Sequence, residues 1–372
     1  MRAKLYFLEP SKVGVQHISL LEGYLRALTA SRQIGERFEI VLCTSKSTAR
    51  NLSAGVLAKV APKSVWVMNP EKRRLVLKSL VEFCVVFRRM LALRRQDILL
   101  VTCVLPTSLI LIEWANRLLR RRGVHVVLHG DIEGIFTSSR QSWLSIGFWA
   151  KSWLRLRRPH SGISLVVLDD FIKSRLISAA PEKLNDANIF VVQLPVTPSD
   201  TEYEIAAPPT VGFLGYRTQI KSFETFAGLP RVLTAFRFVA IGGGRIEDLG
   251  AGTSERLAGK DGYLAEIARC SVACFPYTAG YTASLSASAL DALATGVQIL
   301  ALDRPFFAEL SAYFGDDVVR VVSHLDEIPE ALSRLLQSPA ANSRSQRLQK
   351  VANSKYGVLA VQRSFEHMLA PV

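Results

Sequence analysis

Acidic residues are scarce in the first half of this chain, and that scarcity divides it. Residues 1–196 hold 14 Asp and Glu against 30 Lys and Arg, whereas residues 197–372 hold 18 against 16, within a formal net charge of +14. Two halves with such different charge call for two different partners. Cysteine is also sparse and odd in number: Cys43, Cys84, Cys103, Cys270 and Cys274 lie in mostly apolar runs. That pattern points away from a disulfide framework and towards free thiols in a reducing compartment. Cys270 and Cys274 have no histidine or second cysteine pair near them, so no zinc site is expected. Nor is there an uninterrupted apolar run of the roughly 20 residues that a membrane-spanning helix needs. The longest, Ile98–Ile112, is broken by Pro106, and the run Leu5–Leu8 after Met1 stops at Glu9-Pro10, too short for a secretory signal. The expectation is a chain that does not cross a membrane. Repeats and low-complexity tracts are lacking as well.

What is present is core material. Hydrophobic residues make up 49% of 372, enough for two domains. In the first half, Lys4–Leu8, Phe38–Leu42, Val65–Val67, Ile98–Cys103, Val124–Leu128, Ser164–Leu168 and Ile189–Gln193 read as strands. Amphipathic segments at His17–Ala30, Glu71–Arg95 and Thr107–Arg122 read as the helices between them. Such alternation predicts an α/β fold with parallel sheets covered on both faces. Thr197–Pro209, with three prolines and no apolar period, reads as a linker. The domains expected are therefore 1–196 and 210–355, joined by 197–209, with a final helix in 356–372.

Between Val211 and Leu302 three signals follow in a fixed order. VGFLGYRTQIK is an apolar strand reaching Gly212 and Gly215, then Arg217 and Lys221. FRFVAIGGGR is a second buried strand, stopping at Gly242-Gly243-Gly244. VACFPYTAGYTASLSASALDALATGVQILAL is a strand, a Ser- and Gly-containing loop, a helix read over Leu290–Thr295 with Asp291 in it, and a further strand. Small residues at strand ends let a ligand reach backbone amides, and helix N-termini there favour anions.

This order resembles the C-terminal half of the GT-B glycosyltransferases, which move a sugar from a nucleotide donor to an acceptor. The resemblance implies two Rossmann-like domains facing a cleft, with the last helix crossing back onto the first domain. In the similar retaining branch the third signal carries two Glu residues; here the second falls on Asp291, while Ala283 stands at the first and Ser284-Leu285-Ser286 replaces Gly-Phe-Gly. By this likeness Lys221 and Arg217 neutralise the donor diphosphate, although Tyr216 separates Arg217 from Gly215. Gly215, Gly243 and Gly244 admit the donor, Ser284, Ser286 and Ser288 meet its phosphates, Asp291 takes the ribose hydroxyls, and Tyr277 lines the base pocket. Each has a plainer reading: solvated cations, a tight turn, and helix capping by Ser or Asp. The donor is UDP- or GDP-linked, and no cofactor or metal is expected; Asp169-Asp170 reads as a strand entering a helix.

In the first half, Lys12 and Gly14 follow the first strand, where the likeness places a loop meeting donor and acceptor. His129, Asp131 and Glu133 follow Val124–Leu128 at a strand's carboxyl end. A carboxylate there could serve as base in an inverting transfer, with Asp131 the candidate. Basic residues concentrate in two segments. In Glu71–Arg95 a helical wheel puts Arg74, Lys78, Glu82, Arg88 and Arg89 on one arc. In Trp143–Arg158, Ile146, Trp149, Trp153 and Leu156 share a face flanked by Lys151, Arg155 and Arg158. Tryptophan at an apolar–cationic boundary suits an anionic bilayer, and core packing is the plainer alternative. No nucleic-acid motif accompanies the charge.

The reading is thus a metal-independent glycosyltransferase, cytoplasmic and peripheral on the inner face of the cell membrane. Its acceptor is lipid-linked or a cell-surface glycan, as in capsule, exopolysaccharide or lipopolysaccharide synthesis. Two alternatives stay open: a GT-B-like nucleotide-sugar 2-epimerase, and a non-enzymatic basic adaptor binding anionic lipid or nucleic acid.

Overall fold

Seven parallel strands open the chain, all but the third, a polar edge strand, apolar enough to be largely buried. They are β1 (Ala3–Leu8), β2 (Phe38–Thr44), β3 (Ala61–Ser64), β4 (Ile98–Val101), β5 (Val124–Val127), β6 (Ile163–Val167) and β7 (Ile189–Val191). Their order across the sheet is β3-β2-β1-β4-β5-β6-β7, so the winding reverses between β1 and β4. The computed structural model describes residues 2–12, 18–67, 75–129, 132–136, 145–158, 162–199, 208–257, 259–337 and 344–370.

The chain divides into two compact units, Met1–Pro195 with Val358–Val372, and Val196–Gly357. In the first, the helices Ile18–Ala30 and Val358–Met368 pack together. Tyr24 and Phe365 meet edge to face at 5.0 Å, and the Tyr24 hydroxyl donates to the Val192 carbonyl at 2.6 Å. Ser31 and Glu366 add a hydrogen bond of 2.6 Å. The final helix therefore completes the first unit's core, although it follows the second unit in sequence.

Leu75–Leu91, Pro106–Leu119 and Ile146–Leu156 are further helices of this unit, the second packed between the other two. Of the polar arc read on the first of them, Lys78 and Glu82 face inward, Arg89 is half-buried and Arg88 is exposed, while Arg74 lies outside the described residues. Glu82 is buried, accepting from the Leu105 amide at 2.9 Å and the Ser108 hydroxyl at 2.7 Å, with buried Lys78 at 3.6 Å. Glu113 of the second helix is likewise buried and pairs with Arg157, whose guanidinium is pushed down to about 10 by burial. Two further corrections concern strands and aromatics. The strand read at Val65–Val67 is Ala61–Ser64 instead, because an edge strand tolerates Pro62 and exposed polar residues. Trp153 is 1% exposed, with Arg157 over its ring, so this indole fills core and presents nothing to a membrane.

The second unit holds β8 (Thr210–Leu214), β9 (Arg237–Gly242), β10 (Arg245–Asp248), β11 (Thr253–Arg256), β12 (Val272–Phe275), β13 (Gln298–Leu302) and β14 (Val319–Val322) in the order β11-β10-β9-β8-β12-β13-β14. β10 and β11 are an antiparallel extension that the polar RIED and TSER segments conceal. Its first turn is the triple glycine: Arg245 pairs with Gly242, and Gly243 and Gly244 between them have φ of +60° and +78°, the geometry a two-residue hairpin asks for.

All five tryptophans lie within residues 1–196, so their emission reports the first unit alone. Replacing Phe365, fully buried against Tyr24, with alanine is expected to destabilise that unit by about 3–5 kcal/mol. A urea titration followed by tryptophan emission checks it; an unchanged midpoint would mean that the last helix is dispensable to this core.

Candidate functional site

In open α/β sheets a ligand sits beyond the carboxyl ends of the strands, where the winding direction reverses. In the second unit that place is the carboxyl end of β8 and β12. Leaving β8, the chain reaches Gly215 with φ +99°, a conformation open to glycine and costly to other residues. A methyl group on Gly215 would stand 2.8 Å from Ser288 Oγ and 2.9 Å from Lys221 Nζ. From the other side, a methyl on Gly242 would collide with the Gly215 carbonyl oxygen at 2.2 Å. Two bare backbones thus touch, and an ammonium and a hydroxyl close over one of them.

Lys221 ends a short 3-10 turn, Gln219–Lys221. Its Nζ stands 5.3 Å over the ring of Tyr277, and burial pushes its pKa down to about 8. Tyr277 is itself fully buried among Phe275, Tyr281 and Phe307, and its hydroxyl lies 3.2 Å from Ser286 Oγ. A ring so enclosed cannot stack on a nucleobase, so Tyr277 supports the lysine rather than lining a base pocket.

The helix read over Leu290–Thr295 runs over Ala287–Ala294. Ser286 is its N-cap, accepting from the Ala289 amide at 3.3 Å, the ordinary role of serine there. Ser284 lies in the loop before it. Asp291 stands one turn into the helix, bonded to Tyr263, which also bonds Ser288. Burial pushes the Asp291 carboxyl up to about 6, with Lys260 and the Tyr263 hydroxyl pulling the other way. Burial, with the Asp291 charge next, raises the Tyr263 phenol well above its usual range.

Arg217, read as the second phosphate cation, is ion-paired with Glu247 and lies 4.2 Å over the Phe223 ring. It lines an open groove of about 370 Å³ with Gly215, Tyr216, Gly242, Gly243 and Glu247. The triple glycine is therefore a hairpin turn and a groove wall together. Three contributors carry no sequence signal: Glu247 on the concealed hairpin, Tyr263 on helix Gly259–Ala268, and Arg304. Arg304 Nε donates to the carbonyls of Tyr277 and Thr278 at 2.9 and 2.8 Å, pinning the loop that follows β12.

The first-unit candidates are more scattered. At the end of β1, buried Glu9 accepts from the amides of Ser11 and Lys12 at 2.9 and 3.0 Å and from the Thr102 hydroxyl at 2.8 Å, which fixes the start of the loop carrying Lys12. His129 and Glu133 are half-buried beyond β5. Gly14 and Asp131 lie outside the described residues. Asp169 caps the helix Asp170–Ala179, accepting from the Asp170 amide at 2.7 Å. Trp149 and Lys151 are half-buried, while Arg155 and Arg158 are exposed.

Gly215→Ala combines positive φ with two clashes, and a loss of about 1–3 kcal/mol is expected. Thermal unfolding followed by far-UV circular dichroism measures it; a variant as stable as the parent would show that the close approach is slack.

No protein-family model and no curated protein matches this sequence. Among solved structures, sucrose-phosphate synthase from Thermosynechococcus elongatus is similar with a TM-score of 0.68 at 13% identity, over 98% of both chains. The N-terminal domain of Candida albicans trehalose-6-phosphate phosphatase gives 0.66 at 9% identity, over 99% of this chain and 97% of that one. Anabaena HepE in complex with UDP-glucose gives 0.62 at 11% identity, over 99% of both. These neighbours are GT-B enzymes; with two Rossmann-like units matched over nearly its whole length, this chain has the GT-B fold.

Proposed function

We propose that the chain is a glycosyltransferase. It moves a sugar from a UDP- or GDP-linked donor held by the second unit to a lipid-linked or cell-surface glycan acceptor, in the synthesis of a bacterial envelope polysaccharide. The observation that carries this reading is the convergence of Lys221 Nζ and Ser288 Oγ on the bare backbone of Gly215 at the sheet's switch point. A neighbour of the same fold, HepE, is solved in complex with UDP-glucose, but at 11% identity, so the inference rests on this chain's own residues. The basic first unit supports an acceptor that carries anionic groups.

As the sugar–phosphate bond breaks, negative charge grows on the departing diphosphate. A cation already fixed in a half-buried site stabilises that charge without reorganising. Lys221 supplies it, the Ser288 hydroxyl and the start of helix Ala287–Ala294 donate hydrogen bonds, and Gly215 and Gly242 leave room for close approach. Asp291 as carboxylate accepts from the ribose hydroxyls, with Tyr263 fixing its rotamer. In an inverting route Asp131 is the proposed base, and Asp131→Asn then keeps nucleotide binding and loses transfer. Because a lysine neutralises the leaving group, turnover is proposed to need no metal and to persist in EDTA.

Lys221→Ala is expected to lower kcat by on the order of 10²-fold, typical for loss of one such electrostatic contact, with nucleotide release followed by mass spectrometry. Near-full activity would reduce Lys221 to surface decoration. The pH profile gives the sign independently. The diphosphate needs protonated Lys221, so kcat/KM falls as pH rises through about 8; the ribose contact needs ionised Asp291, so it also falls as pH drops through about 6. Lys221→Arg should remove the alkaline limb, since arginine keeps its charge. Asp291→Asn should remove the acid limb and raise donor KM with modest loss of kcat, the signature of binding made equally in ground and transition states. If neither limb moves, other groups titrate. A protein that binds no UDP- or GDP-sugar at all would fit the adaptor reading instead.

A further inference from the structure

Two neighbouring helices of the first unit carry apolar residues outward as well as into the core. Leu75–Leu91 and Pro106–Leu119 lie side by side in the same direction. Ser79 bonds Thr107 and Ser108 near their starts, and Arg121 Nη donates to the Leu91 carbonyl at 3.5 Å at their ends. Val76, Leu77, Leu80 and Leu91 are about half exposed on the first, and Trp114 and Leu118 are 63% and 69% exposed on the second. Isolated exposed leucines need no explanation, whereas six large apolar side chains exposed on two packed helices do.

Along the segment that forms this face, the surface charge is of one sign. Residues 75–123 contain nine Lys and Arg and three acids, Glu82, Asp97 and Glu113. All three acids are buried, and each is paired: Glu82 with Lys78, Asp97 with Arg94, Glu113 with Arg157. No carboxylate of this stretch is therefore left at the surface. Arg88, Arg95, Arg120 and Arg122 are exposed at or beyond the helix ends, beside Leu91 and Leu118. Apolar side chains with a rim of arginine and no exposed acid match the boundary between acyl chains and anionic headgroups, where indole is also favoured.

We propose that the outward face of helices Leu75–Leu91 and Pro106–Leu119 docks the protein on an anionic bilayer. The helices lie along the surface, Trp114 and Leu118 enter the apolar boundary, and the arginines at the helix ends meet the headgroup phosphates. The face differs from the arc of Lys78 and Glu82, which packs inward, and from Trp153, which is core. It does not depend on the donor reading, because its residues belong to the first unit and its test needs no nucleotide.

The full chain is sedimented with vesicles of phosphatidylcholine containing phosphatidylglycerol, at low and raised salt, and with phosphatidylcholine alone. Binding to the anionic vesicles, released by salt and weak on the neutral ones, is expected. The pair Trp114→Glu with Leu118→Glu should weaken it at least tenfold with unchanged far-UV circular dichroism, and Arg120→Gln with Arg122→Gln should weaken it and flatten its salt dependence. Should the Glu pair not fold, Trp114→Phe keeps the face apolar and removes only the reporter: the blue shift of tryptophan emission on adding anionic vesicles should then shrink. Wild-type protein left in the supernatant at low salt overturns the proposal, as does a folded Glu pair that binds like wild type, or a blue shift indifferent to Trp114. So does a wild type that is dimeric by light scattering, ignores vesicles and becomes monomeric in the Glu pair, since the face would then join two copies of this chain.

Discussion

The tightest constraint in the second unit is contact between two pieces of backbone. Gly242 at the end of β9 stands so close to the Gly215 carbonyl that no side chain fits between them. From that contact the rest of the site follows. β8 and β9 run parallel and in register up to it, the hairpin turns at once through Gly243-Gly244, and Lys221 and Ser288 come within reach of the bare Cα of Gly215. A larger residue at either position would part the strands or displace the ammonium. The small residues thus set the geometry, and the charged ones occupy what it leaves.

A second constraint acts in the first unit, where buried carboxylates share a helix with exposed apolar residues. A buried carboxylate is tolerable only with hydrogen bonds to satisfy it. Glu82 has the Leu105 amide and the Ser108 hydroxyl, and Glu113 has Arg157. Once those acids are anchored inside, the rotation of each helix is fixed, and the apolar residues on its opposite side are left outward. The exposed leucines are the other side of that anchoring.

Much of the fold is legible in the chain because buried parallel strands are near-continuous apolar runs. Each strand expected in the first half has a counterpart, except that the third lies at Ala61–Ser64, where an edge demands no apolar pattern. The hairpin β10–β11 escapes the same reading for the same reason, and with it Glu247. Lys221, Gly215 and Ser288 can be picked out because they follow strand ends. Tyr263 and Arg304 cannot, since each acts through a partner far away in sequence, Asp291 in one case and the carbonyls after β12 in the other. The helical wheel of Glu71–Arg95 misleads at Lys78 and Glu82 because it treats polar residues as solvated, and no local pattern reveals that Leu105 and Ser108 wait at the start of the next helix. Trp153 misleads likewise: adjacency to arginine in sequence says nothing of burial.

The return of the last helix to the first unit bears on the order of assembly. The second unit is one uninterrupted stretch, entered and left through neighbouring segments, with the Val196 amide bonded to the Tyr356 carbonyl at 2.8 Å. During synthesis it can close as soon as Gly357 has emerged. The first unit, although begun earlier, lacks the aromatic partner of Tyr24 until Phe365 arrives. Domains usually fold in the order in which they are made; here the later-made unit is the first to have all its parts, and the earlier one waits with part of its core uncovered.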